Sequence, residues 1–179
     1  ADASRLFRRG RAQNYLEPEH AAEILGWYRG FADVQDAARV VSLDEIKHAR
    51  KHLRRWMKSE RRAVNLSFLP ARGEVRYAPL GVVGIVAPWN YPFQLVIVPL
   101  ANAIAAGNRV MIKPSEFTPK VQALLQRMLG EIFSADEVLV VHGDHALSAA
   151  FTRLPFDHLL FTGSTAVGSS TVSVTGAGA

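Results

Sequence analysis

Between Tyr77 and Asn108 the chain carries no charged side chain, and no other stretch limits its fold so strongly. Chain of this kind must be buried, either in a protein core or in a bilayer. Pro79, Pro88, Pro92 and Pro99, with Gly81, Gly84 and Gly107, interrupt it, so no run reaches the ~20 apolar residues that a membrane-spanning helix needs. It reads instead as a buried strand, "VVGIVAP", followed by a buried helix, "FQLVIVPLANAIAAG", that Gly107 ends.

The same alternation continues downstream. "RVMIKP" reads as a second strand, "EVLVVHG" as a third and "HLLFTG" as a fourth. Between them come the helix "TPKVQALLQRMLGEIF", with Thr118 as cap and Pro119 at its first position, and a short helix about Ala146 to Phe151. Strands this apolar, separated by helices, predict an α/β fold: a Rossmann-like, mostly parallel sheet with helices on both faces, incomplete, from about Val82 to Thr162. Upstream, Ser42 and Glu45 have the spacing of a capping box. They predict an amphipathic helix from about Leu43 to Arg62, with Leu43, Ile46, Leu53, Trp56 and Met57 on its apolar stripe. Residues 1–41 are poorly defined, because the helical spacing of "PEHAAEILGWYRGFADV" contains Gly26 and Gly30, each costing about 1 kcal/mol relative to alanine. The expected division is therefore 1–41, a domain over 42–168, and a tail over 169–179, "SSTVSVTGAGA", which has neither charge nor aromatic residue.

A composition of 49% hydrophobic and 21% charged residues suits a globular core. The absence of cysteine excludes disulfides, thiolate metal sites and a cysteine nucleophile within these residues. No secretory pattern follows Ala1, so a cytoplasmic setting is expected. Residues 47–62 carry eight Lys/Arg against Glu60 alone, in a chain whose net charge is +5. Such a helix could track nucleic-acid phosphates, but the apolar stripe opposite favours a solvated face on a packed helix. His142, Asp144 and His145 in "HGDH" could hold a metal or form a polar turn; with no further ligand nearby, and with Lys and Arg surrounding His48 and His52, no metal site is expected.

In open parallel sheets ligands bind beyond the carboxyl ends of the strands. Three strand ends carry suggestive residues. The fourth strand runs into "GSTAVG", Gly163 to Gly168, where a glycine turn at a helix start suits a pyrophosphate or simply makes a tight turn. The second runs into "KPSE", whose Lys113 and Glu116 could meet a dinucleotide ribose or be surface charges beside a proline. The first runs into "APWNYPF", where Asn90 could donate to an oxyanion or bond its own backbone in a turn.

Together "PWNYPF", "KPSE" and "FTGSTAVG", in this order and spacing, resemble the NAD(P)-dependent aldehyde dehydrogenase superfamily over about residues 44–168. "LPFDHLLFTGSTAVG" and "EIKHARKHLRRWMK" most resemble its bacterial coniferyl aldehyde dehydrogenases, close to the class 3-like branch. The resemblance implies the N-terminal, cofactor-binding part of an enzyme that oxidises an aromatic aldehyde to its acid with NAD or NADP. It implies Asn90 as the side-chain donor of the oxyanion hole, and Val86, Ala87, Pro88 and Trp89 around the nicotinamide end. Lys113, Ser115 and Glu116 would serve the adenosine ribose, Glu116 favouring NAD by repelling a 2′-phosphate. Gly163, Ser164, Thr165, Val167 and Gly168 would bind the pyrophosphate. It further implies a homodimer for the full-length family, with a strand within 67–79 in a small oligomerisation sheet, and neither nucleic-acid nor membrane partners. In such enzymes a cysteine thiolate attacks the aldehyde before hydride transfer. This chain has no cysteine, and its tail departs from the expected continuation after Gly168, so it is expected to be inactive alone. A non-catalytic nucleotide-binding module is the alternative; "VSVTGAGA" also resembles the opening of a short-chain dehydrogenase, over too few residues to identify one.

Overall fold

A computed structural model describes residues 36–164 and Gly168. The chain first forms α1 (Asp36–Trp56) and then an antiparallel ribbon of β1 (Glu60–Arg62) and β2 (Gly73–Val75), with one 3-10 turn at Leu66–Phe68 between them. Strands and helices then alternate: β3 (Val82–Val86), α2 (Gln94–Ala105), β4 (Arg109–Lys113), α3 (Pro119–Ile132), β5 (Val138–Val140), α4 (His145–Thr152) and β6 (His158–Phe161).

The last four strands make one parallel sheet in the order β5-β4-β3-β6. From β3 the chain winds outward to β4 and β5, then crosses back to lay β6 on the other side of β3. The winding direction therefore reverses at the gap between β3 and β6. Val83 and Ile85, Val110 and Ile112, and Val138 and Val140 alternate along three strands and join one core with Ile46 and Ala49 of α1 and the buried faces of α2 and α3. On the opposite face Met111 packs with Phe151 of α4, flanked by Val86, Leu139, Phe156 and Leu159. Gly84 is what lets that second layer close down: a Cβ there would lie 2.7 Å from Leu159 and 2.9 Å from the Phe156 ring.

Two side chains pin the amino ends of the strands. Buried Asn108 accepts from the Leu80 and Gly81 amides at 2.7 and 3.1 Å and donates to the Ala103 carbonyl at 3.1 Å, tying the exit of α2 to the entry of β3. Asp157 accepts from the Val82 amide at 2.8 Å, and Gly81, at φ 134°, lets the chain pass beside its carboxylate.

The uncharged stretch divides as expected into β3 and α2, and the helix continues through Pro99 with one backbone donor fewer. Among the described residues no helix is long and apolar enough to cross a membrane. The expected helix over 43–62 is corrected at both ends. Ser42 is no cap but a buried residue inside α1, and Glu45 is exposed, because "DAARVV" contains no breaker and helix propagates through it. Glu60–Arg62 are extended because their partner is Gly73–Val75, a pairing that no local pattern announces. Trp56 and Met57 thus lie at an open helix end, 41% and 48% exposed, rather than in the core. Within 67–79 only Gly73–Val75 is strand, while Ser67 and Phe68 belong to the 3-10 turn. The helical spacing before Asp36 and the tail over 169–179 lie outside the described residues.

Replacing Asn108 with alanine leaves two amides without their acceptor, so Asn108→Ala is expected to lower stability by about 2 kcal/mol. Urea denaturation measures this, and a midpoint equal to that of the unaltered chain contradicts it.

Candidate functional site

Parallel register sets the site. Val86 stands level with Lys113 on one side and Phe161 on the other, the Ala87 amide donates to the Lys113 carbonyl at 3.2 Å, and the Thr162 amide donates to the Val86 carbonyl at 3.0 Å. The three strand ends singled out in the sequence consequently leave the sheet side by side, two of them flanking the reversal of winding.

After β3 the chain emerges quickly from the core. Ala87 is buried, Pro88 is half-buried, and Trp89 and Asn90 are exposed. The Asn90 side-chain oxygen accepts from the Tyr91 amide at 3.1 Å, and the Tyr91 carbonyl in turn accepts from Leu95 in the first turn of α2. With its oxygen committed to the turn, the amide offers its Nδ2 hydrogens as donors. The turn reading of Asn90 is thus observed, and it leaves Nδ2 as the group that an oxyanion role would use.

After β4 the structure departs from a picture of surface charges. Lys113 is 1% exposed, and its Nζ donates to the Pro114 carbonyl at 2.9 Å and to Glu116 at 3.3 Å. The accessible charge of the pair is the Glu116 carboxylate. A hydrogen bond from its own backbone amide holds that carboxyl below the ordinary 4.5; Lys113 adds to the effect, and burial opposes it. Buried Ser115 anchors the turn through its carbonyl, which accepts from the Thr118 amide at 3.3 Å, the Thr118 hydroxyl at 3.2 Å and the Gln122 side chain at 2.6 Å. Thr118 occupies the cap position of α3 without capping it by its side chain, because its hydroxyl turns back to Ser115, and Pro119 takes the first helical position as expected.

After β6, Gly163 and Ser164 are exposed, and the Gly168 amide donates to the Ser164 carbonyl at 3.0 Å, a bond of helical spacing. Thr165 and Val167 lie outside the described residues. A Cβ on Gly163 would lie 2.5 Å from the Phe161 ring, and one on Gly168 3.2 Å from it. The turn therefore needs glycine for packing as well as for an open backbone, a requirement hidden in the sequence.

Gln122 goes unrecognised in the sequence, and His142 is read there only as a metal ligand or part of a polar turn. Gln122 is buried on α3, where its spacing to Leu125 and Leu129 puts it on the apolar stripe; a polar residue at such a position was the available signal. His142, which follows β5, has its Nδ1 3.0 Å from the Gln122 side-chain oxygen. Burial depresses His142 below the ordinary 6.5, with the charge of Lys113 second. Asp144 caps α4 by accepting from the Leu147 amide at 3.0 Å, the polar-turn arrangement. Among the described residues no group of three or more His, Cys, Asp or Glu could hold a metal ion.

A doubly wound parallel sheet that opens a glycine turn, a Lys–Glu pair and an amide at adjacent strand ends places the chain in the Rossmann-like α/β class. Residues 27–178 match the sequence model of the Aldehyde dehydrogenase family, and the chain belongs to that family. It is 57% identical over 127 residues to a probable coniferyl aldehyde dehydrogenase of Pseudomonas aeruginosa, covering 71% of this chain and 27% of that protein. Identity is 45% over 126 residues to a coniferyl aldehyde dehydrogenase of a Pseudomonas species, covering 70% and 26%. Substrate-bound AldH of Staphylococcus aureus superposes with a TM-score of 0.76 at 33% identity, over 97% of this chain and 37% of that one. The NAD-dependent benzaldehyde dehydrogenase of Corynebacterium glutamicum does so with 0.62 at 27%, over 96% and 38%. The chain thus spans about a quarter of the curated relatives' length, and its fold is a partial one.

His142 and Glu116 both bind protons less readily in the fold than in the unfolded chain, so each removes stability on acidification. Stability is expected to fall as pH drops below 6.5 through His142, and again as it drops below 4.5 through Glu116. Urea midpoints across this range test it. His142→Asn should flatten the upper step, and an equal loss in both proteins contradicts the assignment.

Proposed function

We propose that these residues form the cofactor-binding part of an enzyme that oxidises an aromatic aldehyde to its carboxylic acid with NAD. The observation that carries the reading is the meeting of three sequence-distant segments at the carboxyl end of the sheet, on either side of the reversal of winding. The names of the relatives, two coniferyl aldehyde dehydrogenases and an NAD-dependent benzaldehyde dehydrogenase, support the substrate class and the cofactor.

The residues present suit a dinucleotide. Glu116, kept ionised by its own amide and by Lys113, is an acceptor for ribose hydroxyls, and its charge opposes the 2′-phosphate of NADP. Lys113 is buried behind it and orients the carboxylate rather than meeting solvent; Ser115 supplies the carbonyl anchor of the turn. Gly163, Ser164 and Gly168, with Thr165 and Val167 by resemblance, offer the turn for the pyrophosphate. Val86, Ala87, Pro88 and Trp89 provide the wall beside the nicotinamide, which when bound accepts the hydride from the substrate. The role of Asn90 is electrostatic: its Nδ2 donates to the negative charge that develops on the aldehyde oxygen, a contribution of roughly 10² to 10³ in rate.

The thiolate nucleophile is not among these residues, since the chain contains no cysteine. The cofactor site and half of an oxyanion hole are therefore expected without turnover. In the full-length enzyme, which we place in the cytoplasm, the β1–β2 ribbon with its exposed Leu66, Phe68 and Leu69 would serve the homodimer contact.

Calorimetry with NAD on the chain and on Glu116→Ala tests the ribose assignment. Binding should be weak, weaker still for NADP, and reduced roughly tenfold or more in the variant. Unchanged affinity in Glu116→Ala contradicts the assignment. Incubation with coniferyl aldehyde and NAD should yield no NADH, and measurable oxidation by the chain overturns the expectation of inactivity.

A further inference from the structure

The KPSE turn is braced from behind by two side chains, Gln122 directly and His142 through Gln122. Gln122 donates through Nε2 to the Ser115 carbonyl at 2.6 Å, the shortest of the three bonds that converge on that oxygen. A carbonyl oxygen only accepts, so this bond orients the Gln122 amide and leaves its Oε1 as an acceptor. The partner of Oε1 is Nδ1 of His142 at 3.0 Å, which must then carry the proton. In the neutral ring Nε2 is left with the lone pair. Among the described residues Nε2 is also the buried side-chain atom with no hydrogen-bond partner, and an unpaired acceptor is the milder of the two ways to leave it. One backbone oxygen thereby determines a chain of three orientations: amide, tautomer and lone pair.

We propose that Gln122 and His142 are positioning residues, a relay that holds the Ser115 carbonyl and so presents the Lys113–Glu116 pair in the geometry that accepts a ribose. The functional meaning rests on the reading of Glu116 as the ribose acceptor; the positioning itself does not. Lys113 precedes the braced residue by two positions and Glu116 follows it by one, so a shift of Ser115 moves both ends of their ion pair. The bond that Lys113 donates to Glu116 at 3.3 Å spans the turn and is among the contacts that lower the Glu116 carboxyl, so a change in the turn is read in that group's titration. The relay also reaches between elements: α3 supplies Gln122, and the segment after β5 supplies His142. The pair is therefore set by the packing of three elements and not by the tetrapeptide alone.

The test uses the 179-residue chain and needs no bound cofactor. Nitrogen-15 NMR of the His142 ring should show the proton on Nδ1, and a proton on Nε2 in the neutral ring overturns the relay. A carbon-detected pH titration of Glu116 should place its carboxyl below the ordinary glutamate range in the unaltered chain. Gln122→Leu should raise it toward that range, His142→Leu should raise it less, and His142→Asn, whose Nδ2 can replace the Nδ1 donor, should restore it. A role confined to packing predicts no such rescue, since asparagine fills the ring's space poorly. Identical Glu116 titrations in the unaltered chain and both leucine variants, or equal shifts for His142→Asn and His142→Leu, overturn the proposal. Should Gln122→Leu fail to fold, the two His142 variants decide alone. NAD affinity is read separately on Glu116→Ala, so failure of the ribose reading cannot be mistaken for failure of the relay.

Discussion

The parallel pairing of β3 with a neighbour on each side is the constraint on which the rest of this structure depends. A strand paired on both edges and covered on both faces has nowhere to put a charge, which is why the segment leading to the site is uncharged. Where β3 leaves the sheet, burial falls within a few residues from Ala87, 3% exposed, to Trp89, 63% exposed. Chemistry becomes available at that boundary, and the register brings the ends of β4 and β6 to the same level.

The polar arrangement at the boundary is layered. An ammonium buried as deeply as that of Lys113 is costly unless it is paired, and the Pro114 carbonyl and Glu116 supply that pairing. The consequence is a carboxylate fixed in direction and kept ionised at the surface of a rigid sheet. Behind it the Ser115 carbonyl collects three donors, so the turn is held by α3 as firmly as by its own proline. The glycine turn after β6 is constrained from inside in a different way, by the Phe161 ring.

Much of this was legible in the sequence. The alternation of apolar strands and helices from Val82 onward is borne out, with boundaries within three residues, because long buried elements carry strong periodicity. The family was legible too, since three short segments keep their order and spacing. What failed did so for identifiable reasons. Ser42 and Glu45 have the spacing of a cap, but a cap exists only where helix begins, and helix already runs from Asp36. Glu60–Arg62 look like the end of a basic helix, yet a strand is made by its partner. Lys113 looks like a surface lysine beside a proline, and only the sheet buries it.

By itself, then, the sequence determined the class of fold, the position of each strand end and the kinds of side chain found there. These follow from local periodicity and composition, which act along the chain. The tertiary structure alone decided the strand order that sets the three ends side by side, the burial of Lys113 behind Glu116, the packing of Phe161 against Gly163 and Gly168, and the bracing of Ser115 by Gln122 and His142. Each of these is a contact between residues on different elements, and its energy exists only once the chain has closed the distance between them.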